Sequence, residues 1–231
     1  MSDKIRLGIG IPAYGGYVHA EHAQMFTELG AMLARSESRF ELKMQGYVDI
    51  QPVDRARNFL LAHAMNAGCD WLFMIDADTF VKPDRSDESI DAGFAILRMI
   101  SEADRAGATI VAAPVLKRIA RPTDRQEFTV FAKADPTPER PSGCRPLTSL
   151  FEIVDGGPFG KAHAVGTACI AINLHKIGES MFAFTDVLSE DLEFCRQVRE
   201  LGGKILVDTR VRTAHMTRSY PLYRPKGYTA E

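Results

Sequence analysis

The feature that most constrains the fold is an alternation of short apolar runs with helical patterns from residue 5 to about residue 113. Consecutive parallel strands need a crossover, usually a right-handed helical one, so this alternation predicts a parallel sheet in an α/β domain. Ligands of such sheets bind outside the carboxyl ends of the strands. The predicted strands are Ile5–Ile11, Phe40–Val48, the run from Trp71 that ends in Asp76-Ala77-Asp78, and Thr109–Ala113; the predicted helices are His19–Arg35, Asp54–Ala67 and Asp87–Ala106.

Three local details accompany these elements. On the first helix, the spacing predicts a buried face made of Ala23, Phe26, Leu29, Met32 and Leu33. On the second, Asp54 is expected as the N-cap and Gly68 as the residue that ends the helix. On the second strand, Leu42 and Met44 alternate with charged neighbours.

The second half of the chain is less regular. Residues 115–159 carry several prolines and are expected to form an insertion or flap near the site, because so long a stretch is rarely an idle loop. We expect one domain over residues 1–231, with 216–231 as a C-terminal tail. The further predicted elements are β-like runs at Phe128–Ala132 and Leu150–Val154, a turn at Gly156–Gly160, a strand at Ala164–Ile172, a short helix near Leu174, a helix capped by Ser189 and ending near Leu201, and strands at Lys204–Val207 and Arg210–Ala214.

Asp76 and Asp78 are the strongest candidates for chemistry. If the backbone stays extended, side chains two residues apart point to the same face, so both carboxylates would lie together at the carboxyl end of the strand. Two such carboxylates repel each other unless a cation is near. Their hard oxygen ligands suit Mg²⁺ or Mn²⁺, whereas the structural alternative is a pair that only opens a loop and caps a helix.

Three other groups are candidates on chemical grounds. Arg57 and Asn58 lie near the start of a helix, where a guanidinium and a helix N-terminus both favour phosphate oxygens. Glu190 and Asp191 open a later helix; the helix dipole favours acids there, but a carboxylate facing the site would also serve as a general base. His215 ends a strand in a polar context and is a candidate nitrogen ligand for the same cation.

Composition narrows the protein class. The 231 residues are 45% hydrophobic and 25% charged, with 30 acidic against 28 basic residues, which is typical of a globular protein without a strong charge preference. The four cysteines form no CxxC pair and are expected to be buried and reduced. We found neither a signal-peptide pattern nor an apolar run of membrane-spanning length, so a cytoplasmic location is the expectation.

Five short motifs occur along the chain in a fixed order. They are Ile-Gly-Ile-Pro-Ala-Tyr at 9–14, Ala-Arg-Asn at 56–58, Asp-Ala-Asp at 76–78, Val-Gly-Thr-Ala at 165–168 and Ser-Glu-Asp-Leu-Glu-Phe-Cys at 189–195, followed by His215. In this order they resemble the motifs of GT-A glycosyltransferases, particularly the family 2-like group. The resemblance implies a single GT-A domain that is Rossmann-like, with a mostly parallel sheet flanked by helices and a small antiparallel portion near the acceptor side.

The same resemblance implies roles for individual residues. Pro12, Ala13 and Tyr14 would wrap the nucleoside of a nucleotide-diphosphate-sugar donor, and Arg57 would approach its base or phosphates. Asp78 would hold Mn²⁺ or Mg²⁺ directly, Asp76 would support the metal or the ribose, and His215 would be a third ligand. The Glu190-Asp191 pair matches the motif whose aspartate is the catalytic base in inverting members.

The resemblance leaves several questions open. Asp49 or Asp54 would stand in for the usual acidic residue that reads the base. The acceptor would be a glycan, a lipid, a protein or modified DNA. Basic clusters around Lys117–Arg125 and Arg210–Lys226 allow a polyanion, although a solvated rim is the favoured interpretation of such clusters. Two other functions remain: a nucleotidyltransferase that makes nucleotide-sugars, and a non-catalytic module that binds sugar or nucleic acid.

Overall fold

The computed structural model describes residues 4–13, 20–35, 37–82, 91–116, 127–138, 141–149, 152 and 159–215. The described helices are α1 (Ala20–Leu33), α2 (Val53–Asn66), α3 (Ala92–Arg105) and α4 (Glu190–Glu200). The described strands are β1 (Ile5–Pro12), β2 (Phe40–Val48), β3 (Trp71–Ile75), β4 (Thr79–Val81), β5 (Ile110–Ala112), β6 (Val130–Lys133), β7 (Cys144–Pro146), β8 (Phe159–Lys161), β9 (Ala164–Val165), β10 (Cys169–Asn173), β11 (Ile205–Asp208) and β12 (Thr213–His215).

A seven-stranded sheet in the order β2-β1-β3-β10-β5-β11-β8 forms the centre of the fold. The strands β1, β2 and β3 pair in parallel, as do β5 and β11, whereas β10 runs antiparallel to both of its neighbours and β8 antiparallel to β11. The predicted α/β class with a mostly parallel sheet is therefore confirmed. Two small antiparallel sheets, β12-β4 and β7-β6-β9, accompany it.

Both faces of the sheet are covered, which the strand β3 shows most clearly. Every side chain from Trp71 to Ile75 is buried, but the odd and even positions enter different cores. Trp71, Phe73 and Ile75 join the core that holds α1 and α3, whereas Leu72 and Met74 join the core that holds α2 and α4. A continuous apolar run is what a strand buried on both faces requires.

Helix α1 is rotated relative to the predicted face. His22, Met25 and Leu29 are buried, whereas Ala23, expected inside, is exposed. The expected alternation on β2 is also only partly correct, because Met44 is buried and Leu42 is 40% exposed on this edge strand. The register of β1 with β2 shifts between Leu7 and Gly8, which offsets the strand by one residue there.

Two helix starts differ from the prediction. Helix α2 begins at Val53 with Pro52 as its N-cap, so Asp54 lies in the first turn and the N-cap prediction was wrong. The carbonyl of Pro52 accepts from the Arg55 N–H at 3.1 Å. Helix α3 begins at Ala92, because Asp91 has extended backbone and its carboxylate accepts the Phe94 N–H at 2.6 Å. The predicted start at Asp87 lies outside the described residues.

The predicted strand Ala164–Ile172 is two strands in different sheets. β9 joins the small sheet beside β6, whereas β10 lies inside the central sheet. The chain crosses between them at Gly166, whose N–H donates to the Thr129 carbonyl at 2.6 Å. A Cβ at Gly166 would lie 2.7 Å from the Thr129 Cβ, so only glycine fits this crossing without a shift.

Other differences are local. No helix starts near Leu174, because residues 174–179 form turns and Gly178 has φ +56°. β8 occupies the end of the expected Gly156–Gly160 turn, and the last predicted strand lies at Thr213–His215 rather than Arg210–Ala214. Of the expected insertion, residues 127–138 and 141–149 contribute β6 and β7, which pair with each other. The β-like run Leu150–Val154 lies outside the described residues except Glu152, which is in a single turn, and the tail 216–231 lies outside them entirely.

All four cysteines are free and buried, as expected. Burial raises the pKa of Cys169 and of Cys195 to about 12, so both stay protonated thiols at neutral pH. Among the helices of the described part, none has both the length and the apolar character that crossing a bilayer requires.

Candidate functional site

Several segments converge at the edge of the sheet where the parallel strands end. β1 ends at Pro12, β3 ends at Ile75, and β10 enters the sheet here from Ala168. The Asp76 N–H donates to the Ala168 carbonyl at 3.0 Å, which ties the end of β3 to the segment that precedes β10. The predicted donor-side and acceptor-side motifs thus meet at one edge.

Asp76, Ala77 and Asp78 form a turn rather than the end of a strand. β3 stops at Ile75, and the Thr79 N–H donates to the Asp76 carbonyl at 2.9 Å, which closes a β-turn into β4. The argument from strand alternation was therefore wrong for this pair, because Ala77 and Asp78 are not extended. Asp76 and Asp78 are nevertheless both partly exposed within this one turn.

Arg57 lies between two carboxylates from distant parts of the chain. It sits on the second turn of α2 and is only 4% exposed. One terminal nitrogen donates to Asp76 Oδ1 at 3.0 Å, and the other donates to Glu190 Oε1. Burial alone would lower the pKa of Arg57, but the charges of Asp76 and Glu190 outweigh burial and raise it. Both ends of the guanidinium fork are thus engaged with protein carboxylates.

Phe182 adds a second connection between α2 and α4. The Asn58 amide donates to the Phe182 carbonyl at 2.7 Å and accepts the Phe182 N–H at 2.8 Å. The Phe182 ring stacks on Phe194 of α4 with centroids 4.2 Å apart, and the Arg57 guanidinium lies 6.0 Å from its centroid. Asn58 therefore holds the loop before α4, and nothing in its sequence context indicated Phe182 as its partner.

Glu190 and Asp191 are adjacent in sequence but occupy different environments. Glu190 is buried against Arg57; burial raises its pKa, Arg57 opposes that effect, and Asp191 adds to it. Asp191 is half-buried, and its Oδ1 accepts the Ser189 hydroxyl and the Leu192 N–H, the latter at 2.8 Å. Ser189 is at the N-cap position as expected, but its hydroxyl bonds Asp191 instead of capping the helix. The structure therefore orients the Asp191 carboxylate at the first turn of α4.

The metal prediction depends on Asp76, Asp78 and His215. β12 pairs antiparallel with β4, which places the His215 backbone opposite Thr79, one residue beyond Asp78. The His215 side chain lies outside the described part, and among the side chains that are described no group of three or more His, Cys, Asp or Glu is arranged to hold a metal. Two carboxylates in one turn and a histidine at the neighbouring strand position fit Mn²⁺ or Mg²⁺ by ligand type.

The expected nucleoside loop is only partly described. Pro12 pairs with Val48 at the end of β1, and the Ala13 N–H donates to the Val48 carbonyl at 2.9 Å. Both residues are buried at the carboxyl edge of the sheet, and their contact with a nucleoside stays a prediction. Tyr14 lies outside the described residues.

Comparisons with known proteins support the fold. No family model matches the sequence, and no curated protein matches it. Among solved structures, A197 from STIV superposes with a TM-score of 0.52 at 15% identity, over 92% of this chain and 86% of that one. GalNAc-T7, solved with UDP, GalNAc and Mn²⁺, superposes with a TM-score of 0.52 at 11% identity; the match covers 94% of this chain and 45% of that one. The protein therefore has a fold like that of the GT-A glycosyltransferases.

Proposed function

We propose that this protein is a glycosyltransferase that moves a sugar from a nucleotide-diphosphate-sugar to an acceptor hydroxyl. The observation that carries the proposal is that the turn of Asp76 and Asp78 is joined through Arg57 to the start of α4, which holds Asp191, at the carboxyl edge of a sheet with the GT-A fold. GalNAc-T7, which has a similar fold, was solved with UDP, GalNAc and Mn²⁺, so a nucleotide-sugar and a divalent cation are consistent with this fold.

In this proposal Asp191 is the general base. It takes the proton of the acceptor hydroxyl as the acceptor oxygen bonds the anomeric carbon and the bond from that carbon to the diphosphate oxygen breaks. The hydrogen bonds from Ser189 and Leu192 both reach Oδ1. Both bonds occupy Oδ1, so in this proposal Oδ2 is the oxygen that would receive the proton.

Asp76, Asp78 and His215 would hold Mn²⁺ or Mg²⁺. The cation, when bound, supplies a Lewis acid that offsets the negative charge developing on the departing diphosphate. Pro12, Ala13 and Tyr14 would contact the nucleoside. Glu190 has a different role from Asp191, because its carboxylate is buried and already paired with Arg57.

Two experiments test the proposal. A thermal-shift panel of UDP-, GDP- and dTDP-sugars with Mn²⁺ should raise Tm for at least one donor, by about 5–10 °C at a hundredfold excess over Kd. Asp191→Asn should then lower hydrolysis and transfer from that donor by about a hundredfold or more while leaving the thermal shift unchanged. Glu179→Gln is the matched control, because Glu179 is an exposed carboxylate on the loop before α4.

The outcomes separate the competing functions. If no donor shifts Tm or is hydrolysed, the transferase proposal fails. If donors bind but wild-type protein neither hydrolyses nor transfers them, the protein is a binding module. A nucleotidyltransferase would instead join a nucleoside triphosphate to a sugar phosphate and release pyrophosphate. Release of pyrophosphate can be assayed with the same preparation.

A further inference from the structure

Resting on the proposed function, we propose that Arg57 is a positioning residue that couples the donor side of the site to the helix that carries the base. It would do so by holding Asp76 with one end of its guanidinium and Glu190 with the other. The sequence expectation placed Arg57 against the base or phosphates of the donor. Its engagement with two protein carboxylates assigns it a different task.

The first step of the argument is geometric. The two partners of Arg57 lie on the turn after β3 and at the first residue of α4, and they are 114 residues apart in sequence (190 − 76). A guanidinium is planar and rigid, so two carboxylates held by its two ends are fixed relative to each other. Lysine, with a single ammonium on a flexible stem, cannot impose that spacing.

The second step concerns burial. The Arg57 side chain is 5% exposed and that of Glu190 is 11% exposed, so their ion pair is little screened by water. Removing either charge leaves the other without its buried partner, and the remaining members must rearrange. A change at Glu190 is therefore transmitted through Arg57 to Asp76.

The third step concerns charge. Asp76, Arg57 and Glu190 together carry a formal charge of −1, because two carboxylates share one guanidinium. If glutamine replaces Glu190, the formal charge of these three groups becomes zero and one carboxylate fewer shares the guanidinium with Asp76. Asp76 then attracts a divalent cation less strongly. In the described contacts Glu190 bonds Arg57 and not the turn from Asp76 to Thr79.

The helix α4 offers a matched pair of variants. Glu190 and Glu193 are both buried glutamates in the first turn of α4. Glu193 pairs with Arg196 and Gln197 of the same helix, whereas Glu190 pairs with Arg57 of α2. Glu190→Gln and Glu193→Gln therefore remove the same charge from the same helix, but only the first cuts the connection to Asp76.

Two measurements test the coupling. In isothermal titration with MnCl₂ and UDP, Glu190→Gln should weaken Mn²⁺ binding about tenfold, whereas Glu193→Gln should change it less than twofold. In hydrogen exchange on the metal-free protein, Glu190→Gln should accelerate exchange of the Thr79 amide, which closes the Asp76 turn, and Glu193→Gln should not. Arg57→Lys keeps the formal charge at −1 but loses the rigid fork, so it should reproduce the faster Thr79 exchange and weaken Mn²⁺ binding less than Glu190→Gln does. The double variant should add little to the exchange effect of either single variant.

The two measurements distinguish failure of the inference from failure of the proposed function. Equal Thr79 exchange in the wild type and Glu190→Gln overturns the coupling, even if the protein is an active transferase. If the wild type binds Mn²⁺ and Glu190→Gln binds it with equal affinity, the coupling is also overturned. If the wild type binds neither Mn²⁺ nor UDP but the exchange effect is present, the coupling stands and the proposed function fails.

Discussion

Gly93 lies where α3 packs directly against the backbone of α1, and it yields the sharpest stability prediction. A Cβ placed on Gly93 of α3 would lie 2.6 Å from the Leu29 nitrogen and 2.7 Å from the Leu29 Cα on α1. These are backbone atoms, so no side-chain rotation can relieve the contact. Gly93→Ala must therefore move α3 away from α1.

The size of the effect follows from that distance. Ordinary contact begins at 3.4 Å, so the helices must separate by about 0.8 Å (3.4 − 2.6) at this point. The shift would loosen the buried contacts of Met25 and Leu29 and the bond from the Ala92 N–H to Glu28, which is 3.1 Å long. Overpacking of this kind costs about 1–3 kcal/mol. The higher helix propensity of alanine offsets less than about 1 kcal/mol of this cost, because Gly93 is in the first turn of α3 and not in the helix interior.

Gly30 provides the matched control. It lies on α1, is exposed, and has no atom within 4 Å of its ideal Cβ position. Gly30→Ala should therefore stabilise the protein by about 0.5–1 kcal/mol, through helix propensity alone. Glycine-to-alanine substitution is thus expected to destabilise the protein at position 93 and to stabilise it at position 30.

Urea denaturation followed by circular dichroism measures both variants. We expect Gly93→Ala to lower the free energy of unfolding by about 1–2 kcal/mol, with Tm lower by roughly 2–8 °C. An unchanged m-value would show that the native state, not the denatured one, is affected. If Gly93→Ala is as stable as the wild type while Gly30→Ala behaves as expected, the close approach of α1 and α3 is refuted.

Three further predictions concern other parts of the molecule. Partial burial would raise the pKa of Asp70, but hydrogen bonds, first of all from Arg6, lower it to about 2. Asp70→Asn should therefore lower the free energy of unfolding by about 1 kcal/mol at pH 7. The difference in stability between wild type and variant should vanish as the pH falls from about 4 through 2. The buried Cys169 and Cys195 should react with a disulfide reagent only as fast as the protein unfolds, and fast reaction of either in native protein would contradict their burial. Gly166→Ala should destabilise the fold by about 1–3 kcal/mol, and unchanged stability would show that the contact with Thr129 is not tight.

Elements with strong local signals were predictable from the sequence. The bounds of β2 match the prediction, and α4 begins after Ser189 as expected. A buried strand and an amphipathic helix are each specified within about ten consecutive residues, so hydrophobic periodicity is enough to find them. The edge at which Asp76 lies also followed, because parallel strands place their carboxyl ends together.

What the sequence could not reveal depends on distant contacts. β4 has three residues and exists because it pairs with β12, more than a hundred residues later. The apolar run Ala164–Ile172 divides between two sheets at Gly166, and hydropathy does not change where the chain crosses. Arg57 and Glu190 are 133 residues apart, so their pairing has no local pattern. The sequence showed two adjacent acids at the start of α4, but it did not show that Glu190 is buried against Arg57.

The charges at the candidate site lead to a last prediction. Among the side chains that the structure describes here, Asp76, Asp78, Glu190 and Asp191 are four carboxylates, and Arg57 is a guanidinium that two of them share. The formal charges of these five described groups sum to a negative value, so by themselves they would repel a nucleoside diphosphate. A divalent cation between the carboxylates and the diphosphate would reverse that repulsion, so we expect nucleotide binding to require one.

A comparison of UDP binding in Mn²⁺ and in EDTA tests this expectation. UDP should raise Tm in the presence of Mn²⁺ and leave it unchanged in EDTA, and Asp78→Asn should weaken the Mn²⁺-dependent shift. Uridine is the control ligand, because it carries the base and ribose without phosphate charge and should bind equally weakly in both buffers. Equal UDP binding with Mn²⁺ and with EDTA would mean that cationic groups of the protein neutralise the diphosphate, and the assignment of Asp78 as a metal ligand would then be wrong.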